Sequence, residues 1–224
     1  MKCFLSFYVF FLFGIVIINA QNSTSTLAEN RNSYVTFSLL PITDPFAPRL
    51  RVGYTQHLAL HWKIGLDLGF GDESTSLLPK TDNYGVEYFL WEVRPEIYYI
   101  FNPNTKTLKY VSIEMFYIDQ EHVFENGDYS PEDGGSDYRF DRADFERQKY
   151  GMHFKFGLFL NLGKHIGFNF YGGVGFRFVN KQYSNFVNRE EADIFREWFT
   201  TPYTDEGANF LPMPSLGIKF YYKI

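Results

Sequence analysis

Along most of the chain, apolar and polar residues alternate with a period of two. In residues 61–70, Trp62, Ile64, Leu66, Leu68 and Phe70 oppose Lys63, Gly65, Asp67 and Gly69. In residues 166–179, Ile166, Phe168, Phe170, Val174, Phe176 and Phe178 oppose Gly167, Asn169, Tyr171, Gly173, Gly175 and Arg177. Successive side chains of a strand point to opposite faces, so this period predicts strands with one apolar and one mixed face. The same alternation in 33–40, 49–56, 88–101, 108–121, 145–162 and 214–223 brings the predicted strands to eight. It blurs after Ile118, and Pro95 predicts a local bulge or an unpaired amide in the fourth strand.

The predicted connections alternate in character. Segments 57–60, 102–106 and 163–165 are tight, whereas 71–87, 122–144 and 180–213 are long, with 41–48 between the first two strands. Tight turns at one end and long loops at the other belong to membrane barrels. The expected fold is therefore all-β: an eight-stranded antiparallel up-and-down transmembrane β-barrel with short periplasmic turns and long extracellular loops. A soluble periplasmic lipocalin-like barrel would reverse the faces and make the apolar one a ligand pocket. Three features favour the membrane arrangement: glycines among long charged residues on the mixed face, aromatic residues near both rims, and a closing strand with Ile218, Phe220, Tyr222 and Ile224 on one face. Trp62, Tyr99, Phe101 and Tyr222 are expected at the periplasmic rim, and Phe70, Trp91, Tyr117 and Tyr150 at the outer one.

Composition narrows the setting. Residues 1–20 carry Lys2, an apolar stretch over 4–18 and Ala20, the pattern of a secretory signal peptide. Residues 21–32 are expected to be a flexible periplasmic lead, and 33–224 a single outer-membrane barrel domain. The one cysteine, Cys3, falls in the expected signal, so no disulfide or thiolate chemistry is predicted. Beyond it no apolar run is long enough for a spanning helix, although aromatic residues make up 21% of the chain. A formal net charge of -5 argues against nucleic acid as a partner.

The interior of an eight-stranded barrel is only wide enough to be filled by side chains. Diffusion through it is not expected. Arg51, Lys63, Asp67, Glu92, Arg94, Glu96, Glu114, Lys155, Arg177 and Lys219 all fall on the mixed face, together with Arg49. Because buried charges are costly unless paired, they are expected to form a salt-bridged structural plug centred on Glu92, Arg94 and Glu96. Among the histidines, His57, His61 and His165 fall at turns and His153 faces the interior. His122, beside Glu121 at the outer end, is best placed for lipid chemistry, yet no serine can be assigned to it. No catalytic residue, metal or cofactor is predicted. The carboxylates of 121–149 do not follow an EF-hand spacing and read as a solvated acidic loop. In 188–199, Asn188 and Glu191 make a capping box for a short helix, with Ile194, Phe195, Trp198 and Phe199 on one face as a possible interaction surface.

Arg51-Val-Gly-Tyr54, Gly65-Leu-Asp-Leu-Gly-Phe-Gly71, Arg94-Pro-Glu-Ile-Tyr-Tyr99, the glycine-rich seventh strand and the closing L-G-I-K-F-Y-Y-K-I run give the chain its resemblance to known proteins. Over 33–224 it resembles an uncharacterised Gram-negative family of small outer-membrane barrels with a domain of unknown function. In architecture it is similar to the N-terminal barrel of outer membrane protein A. The terminal Ile224 departs from the usual closing Phe but keeps an apolar side chain. The resemblance implies an eight-stranded barrel in the outer membrane and carries over no catalytic residues. The expected function is non-enzymatic: a monomeric outer-membrane barrel with a plugged lumen and a structural or interaction role through its outer loops. Its expected partners are outer-membrane lipid and lipopolysaccharide, and an envelope or extracellular protein or glycan. The alternative is a lipid-modifying outer-membrane enzyme.

Overall fold

The computed structural model describes residues 32–75, 86–132, 134–193 and 205–224. The expected signal peptide, all but the last residue of the expected lead, and Ile194, Phe195, Trp198 and Phe199 lie outside the described residues. The strands, in chain order, are β1 (Tyr34–Ser38), β2 (Leu50–Ala59), β3 (Trp62–Asp72), β4 (Val86–Ile100), β5 (Thr107–Tyr129), β6 (Tyr138–Asn161), β7 (Ile166–Val187), β8 (Glu190–Glu191) and β9 (Gly207–Lys223). β1 to β6 each pair with the next, β7 pairs with β9, and β9 returns to β1, every pairing antiparallel. Eight strands thus close into a ring, and β8 adds two residues to the tip of β6.

Alternation decides which side chains enter the ring. Along β4, Tyr88, Leu90, Glu92, Arg94, Glu96, Tyr98 and Ile100 are buried, while Phe89, Trp91, Pro95 and Ile97 are exposed. The buried set is the mixed one. Val52, Leu68, Ile113, Met115, Phe154, Phe156 and Val174 all lie on the outside of the wall and are exposed. Pro95 interrupts the ladder with β5 without changing the register: Val93 pairs with Tyr117 and Glu96 with Glu114. It therefore leaves an unpaired stretch and no bulge.

The interior is layered. Near the end bearing the β2–β3 turn, Tyr34, Tyr98, Ile100, Leu108, Tyr110, Phe159, Tyr171 and Tyr221 pack into one aromatic cluster. Charged residues occupy the middle. Beyond them come Ala47, Tyr88, Leu90, Phe116 and Ile118, with Met213 against them, and then a second aromatic cluster of Phe124, Tyr129, Phe140, Phe145 and Tyr183. Glycines make the large residues fit. Tyr171 pairs across the ladder with both Gly157 and Gly217, and a Cβ at Gly217 would overlap the Tyr171 ring.

Two features differ from the sequence expectation. Strands replace much of the expected loops at 122–144 and 180–213, because β5 runs to Tyr129, β6 starts at Tyr138, β7 runs to Val187 and β9 starts at Gly207. The alternation is hidden there because the outward positions are charged: Asp128 pairs with Arg139 at 2.9 Å, and Glu125 lies opposite Arg142. Positive φ values at Asn126 and Asn185, which asparagine tolerates, accommodate local irregularities. The second difference is that segment 39–49, including a 3-10 turn over Leu40–Thr43, folds into the ring as a lid. The Phe46 carbonyl accepts from Arg147 at 3.2 Å and Gln120 at 3.4 Å, and the Tyr88 hydroxyl donates to the Pro48 carbonyl at 3.0 Å.

Replacing Gly217 with Val should destabilise the ring by about 1–3 kcal/mol through overpacking against Tyr171. Urea unfolding of refolded protein, followed by tryptophan fluorescence, would measure it. An unchanged midpoint would show that Tyr171 is not fixed by this contact.

Candidate functional site

The middle layer is a continuous chain of ion pairs with alternating sign. Glu92 is held by Arg51, by Arg94 at 2.9 Å and by Arg49 at 3.0 Å. Arg94 continues to Glu114 at 2.9 Å, and Lys155 bridges Glu114 and Glu96 at 2.8 Å each. Lys219 then joins Glu96 at 3.4 Å to Asp67 at 2.6 Å. Every carboxylate in this chain is buried and touches at least one cation.

Register explains how residues far apart in sequence meet. Arg51 on β2 pairs with Gly69 on β3, and Gly69 pairs with Glu92 on β4. With no side chain on the intervening residue, Arg51 and Glu92 reach one another across β3. Glu96 and Glu114 lie directly opposite, an arrangement that costs stability in a sheet. Lys155 offsets the repulsion by contacting both. Glu96 also accepts from the Tyr98 hydroxyl at 2.7 Å and the Ser112 hydroxyl at 2.6 Å. His153 Nδ1 lies 3.0 Å from Glu114, with its ring stacked on Phe116. The Lys155 and Lys219 ammoniums lie 4.4 Å and 5.6 Å from the centre of the Tyr171 ring.

Of the ten interior charges named from sequence, the structure brings together eight: Arg51, Asp67, Glu92, Arg94, Glu96, Glu114, Lys155 and Lys219. Lys63 and Arg177 stand apart. Lys63 sits near the β2–β3 turn, donates to the Asn32 carbonyl at 2.8 Å and lies 4.4 Å over the Tyr34 ring. Arg177 lies toward the other end of the ring and makes no ion pair among the described residues. Sequence reasoning missed the hydroxyls of Tyr98 and Ser112 as donors to Glu96. It also missed Arg147, Lys149 and Lys181, although each continues the inward parity of its strand.

Other chemistry is thinly represented. His122 packs against Phe124 and Phe145, with Gln120 Nε2 3.4 Å from its Nδ1. Burial, and after it the Arg147 charge, pushes its imidazole down to about 3, so it stays neutral and is a weak base near pH 7. Asp144 and Ser184 form a cross-strand pair, while their neighbours Phe145 and Tyr183 belong to the inner cluster. The sheet wall therefore separates that serine and carboxylate from the His122 ring. Among the described residues, no group of three or more His, Cys, Asp or Glu side chains is placed to hold a metal ion.

A glutamine at position 92 would leave three buried guanidiniums facing a neutral amide. Glu92→Gln should cost about 3–5 kcal/mol. Asp128→Asn, which breaks a pair whose arginine side chain is 64% exposed, should cost nothing measurable. Urea midpoints of the two variants measure the contrast, and equal effects would contradict the proposed importance of the buried chain. Compared with protein-family models, curated proteins and solved structures, the chain matches none.

Proposed function

We propose that the ring is an outer-membrane β-barrel, plugged by its own ion chain, that works without catalysis as a structural or interaction module presenting its outer hairpins. The observation that carries this reading is the inversion of the wall, with carboxylates and guanidiniums inside and an apolar surface outside. Soluble proteins rarely expose apolar patches of this extent. On β3 the exposed apolar face runs from Trp62 to Phe70, which matches the nine to eleven tilted residues a membrane strand needs.

Aromatic contacts support the same reading. At one rim Trp62 meets Tyr99 at 5.1 Å, Tyr99 meets Phe101 at 5.7 Å, and His165 stacks on Tyr222 at 5.8 Å. At the other rim Phe70 meets Phe89 at 5.4 Å, Trp91 meets Tyr117 at 5.2 Å, and Tyr150 stacks on Phe178 at 5.4 Å. Two such rows separated by a mostly apolar band, with Ile97, Ile113, Phe154 and Val174 at one level, are what the headgroup regions of a bilayer favour. The described hairpin of β5 and β6 extends well past the second row, and its charged outer surface suits water, lipopolysaccharide phosphates bridged by divalent ions, or an extracellular protein or glycan. On this reading residues 1–20 direct export and are removed.

Gly134, with φ of 72° and nothing near its missing Cβ, gives a site for a protease tag at the hairpin tip. In a Gram-negative host the tagged chain should fractionate with the outer membrane, show heat-modifiable migration and be cut at the tag in intact cells. Recovery in the soluble periplasm would overturn the membrane reading and turn attention to the apolar face as a ligand surface.

A further inference from the structure

Charge inside the ring is balanced in one layer and unbalanced in the next. In the middle layer and the lid that joins it, Arg49, Arg51, Arg94, Lys155 and Lys219 meet Asp44, Asp67, Glu92, Glu96 and Glu114. Farther along β6 and β7, on the same inward parity, stand Arg147, Lys149, Arg177 and Lys181. Arg147 and Lys181 are direct cross-strand partners, and Lys149 and Arg177 lie one and two inward positions nearer the middle layer. Like charges directly opposite in a sheet are destabilising.

Three of these cations, Lys149, Arg177 and Lys181, have no acceptor where they stand among the described residues. Arg147 donates to the side-chain oxygen of Gln120 and to the Phe46 carbonyl, both uncharged acceptors. Lys149, Arg177 and Lys181 make no hydrogen bond and no ion pair within 4 Å among the described residues. The Arg177 Nε is buried without an acceptor, and Lys181 is only 7% exposed. The carboxylates whose fields reach the group are Asp44 and Asp205. Asp44 is already engaged by Arg49 at 3.0 Å and by the amides of Phe46 and Ala47. Burial pushes the Lys181 ammonium down to about 8, with Asp205 opposing the fall and Arg147 and Arg177 adding to it.

Among the described residues, the wall is open beside this cluster. β1 stops at Ser38, opposite Lys219, and the Leu39 amide donating to the Ile218 carbonyl at 3.1 Å continues that edge by one bond. β9 runs on to Gly207 with β7 as its strand partner. The amide and carbonyl of one strand residue point the same way, so those of Leu216, and the carbonyls of Pro214 and Pro212, share the side of Ile218. The two prolines have no N–H to present to that free edge, which keeps it from recruiting another strand. Asn209 and Leu211 share the inward parity of Met213, yet both are exposed, and Leu211 is paired directly with Arg177.

We propose that this opening admits a phosphate group to an oxyanion-binding site formed by Lys149, Arg177 and Lys181, with Arg147 behind them. Arginine offers a planar fork of donors and lysine a compact charge, the pair of devices that phosphate sites use. A doubly charged phosphate balances the cluster better than a single carboxylate could. The phosphate is either a lipid headgroup or a soluble phosphate. The site is built from the ring's own side chains and is the same whether the ring sits in lipid or in water.

Calorimetry on the full chain, refolded in a phosphate-free neutral detergent, tests this with two probes: inorganic phosphate, and a phosphorylated glycolipid beside its dephosphorylated form. Saturable binding that falls at least about tenfold in Arg177→Gln and in Lys181→Gln, and is unchanged in the exposed Lys109→Gln at the opposite end, is the expected result. Without phosphate the two site variants should also unfold at higher urea than the parent, because repulsion has been removed. Binding of the phosphorylated lipid alone identifies a headgroup ligand, and equal binding of inorganic phosphate identifies a soluble one. No saturable binding of either probe to protein that shows heat-modifiable migration would overturn the proposal. So would binding that the site variants leave unchanged, or variants less stable than the parent without phosphate.

Discussion

The chain of contacts from Arg49 through Glu92, Arg94, Glu114, Lys155, Glu96 and Lys219 to Asp67 is the constraint on which the rest of the ring depends. These side chains come from segment 39–49 and from strands β3, β4, β5, β6 and β9, so the chain crosses most of the circumference. A carboxylate removed from water without a partner costs several kcal/mol, and each one here has its partner on another strand or two positions along its own. Moving any strand by one residue would send its charges to the outer face and its apolar residues inward. The ion chain and the apolar wall therefore specify the same register from opposite sides.

Apolar layers close both ends of that charged layer. The cluster of Tyr34, Tyr98, Tyr110, Phe159, Tyr171 and Tyr221 fills one end, and the lid of residues 39–49 packs over the other with Ala47 and Phe46. The ion pairs are thereby buried from water, which strengthens them. The shortness of β1 has the opposite consequence, because among the described residues it leaves β9 with a free upper edge beside the cations of β6 and β7.

The in-and-out assignment of β3, β4 and β7 was legible from the two-residue period, and so was the population of charges inside. Partnerships were not. Arg51 finds Glu92 only because Gly69 stands between them in the register, and register depends on the stagger of the whole ring. Alternation also failed as a guide above Ile118, where outward positions are charged and inward positions mix Gln120, His122 and Phe124. Strands there read as an acidic loop, and Arg147 and Lys149 were absorbed into it. Tracing the odd positions of β6 upward from Lys155 and His153 would have placed both inside. The inward fold of 39–49 left no periodic trace, since Asp44, Phe46, Ala47 and Arg49 act there through individual contacts.

The central claim is that the ring is inverted, with lipid against its apolar face. Environment-sensitive labels on single cysteines at Leu68, Phe154 and Val174, in chain reconstituted into vesicles, test it directly. The account predicts that a quencher carried on the lipid tails extinguishes all three while an aqueous ionic quencher leaves them bright. Efficient aqueous quenching at these three positions, with none from the lipid, would contradict it.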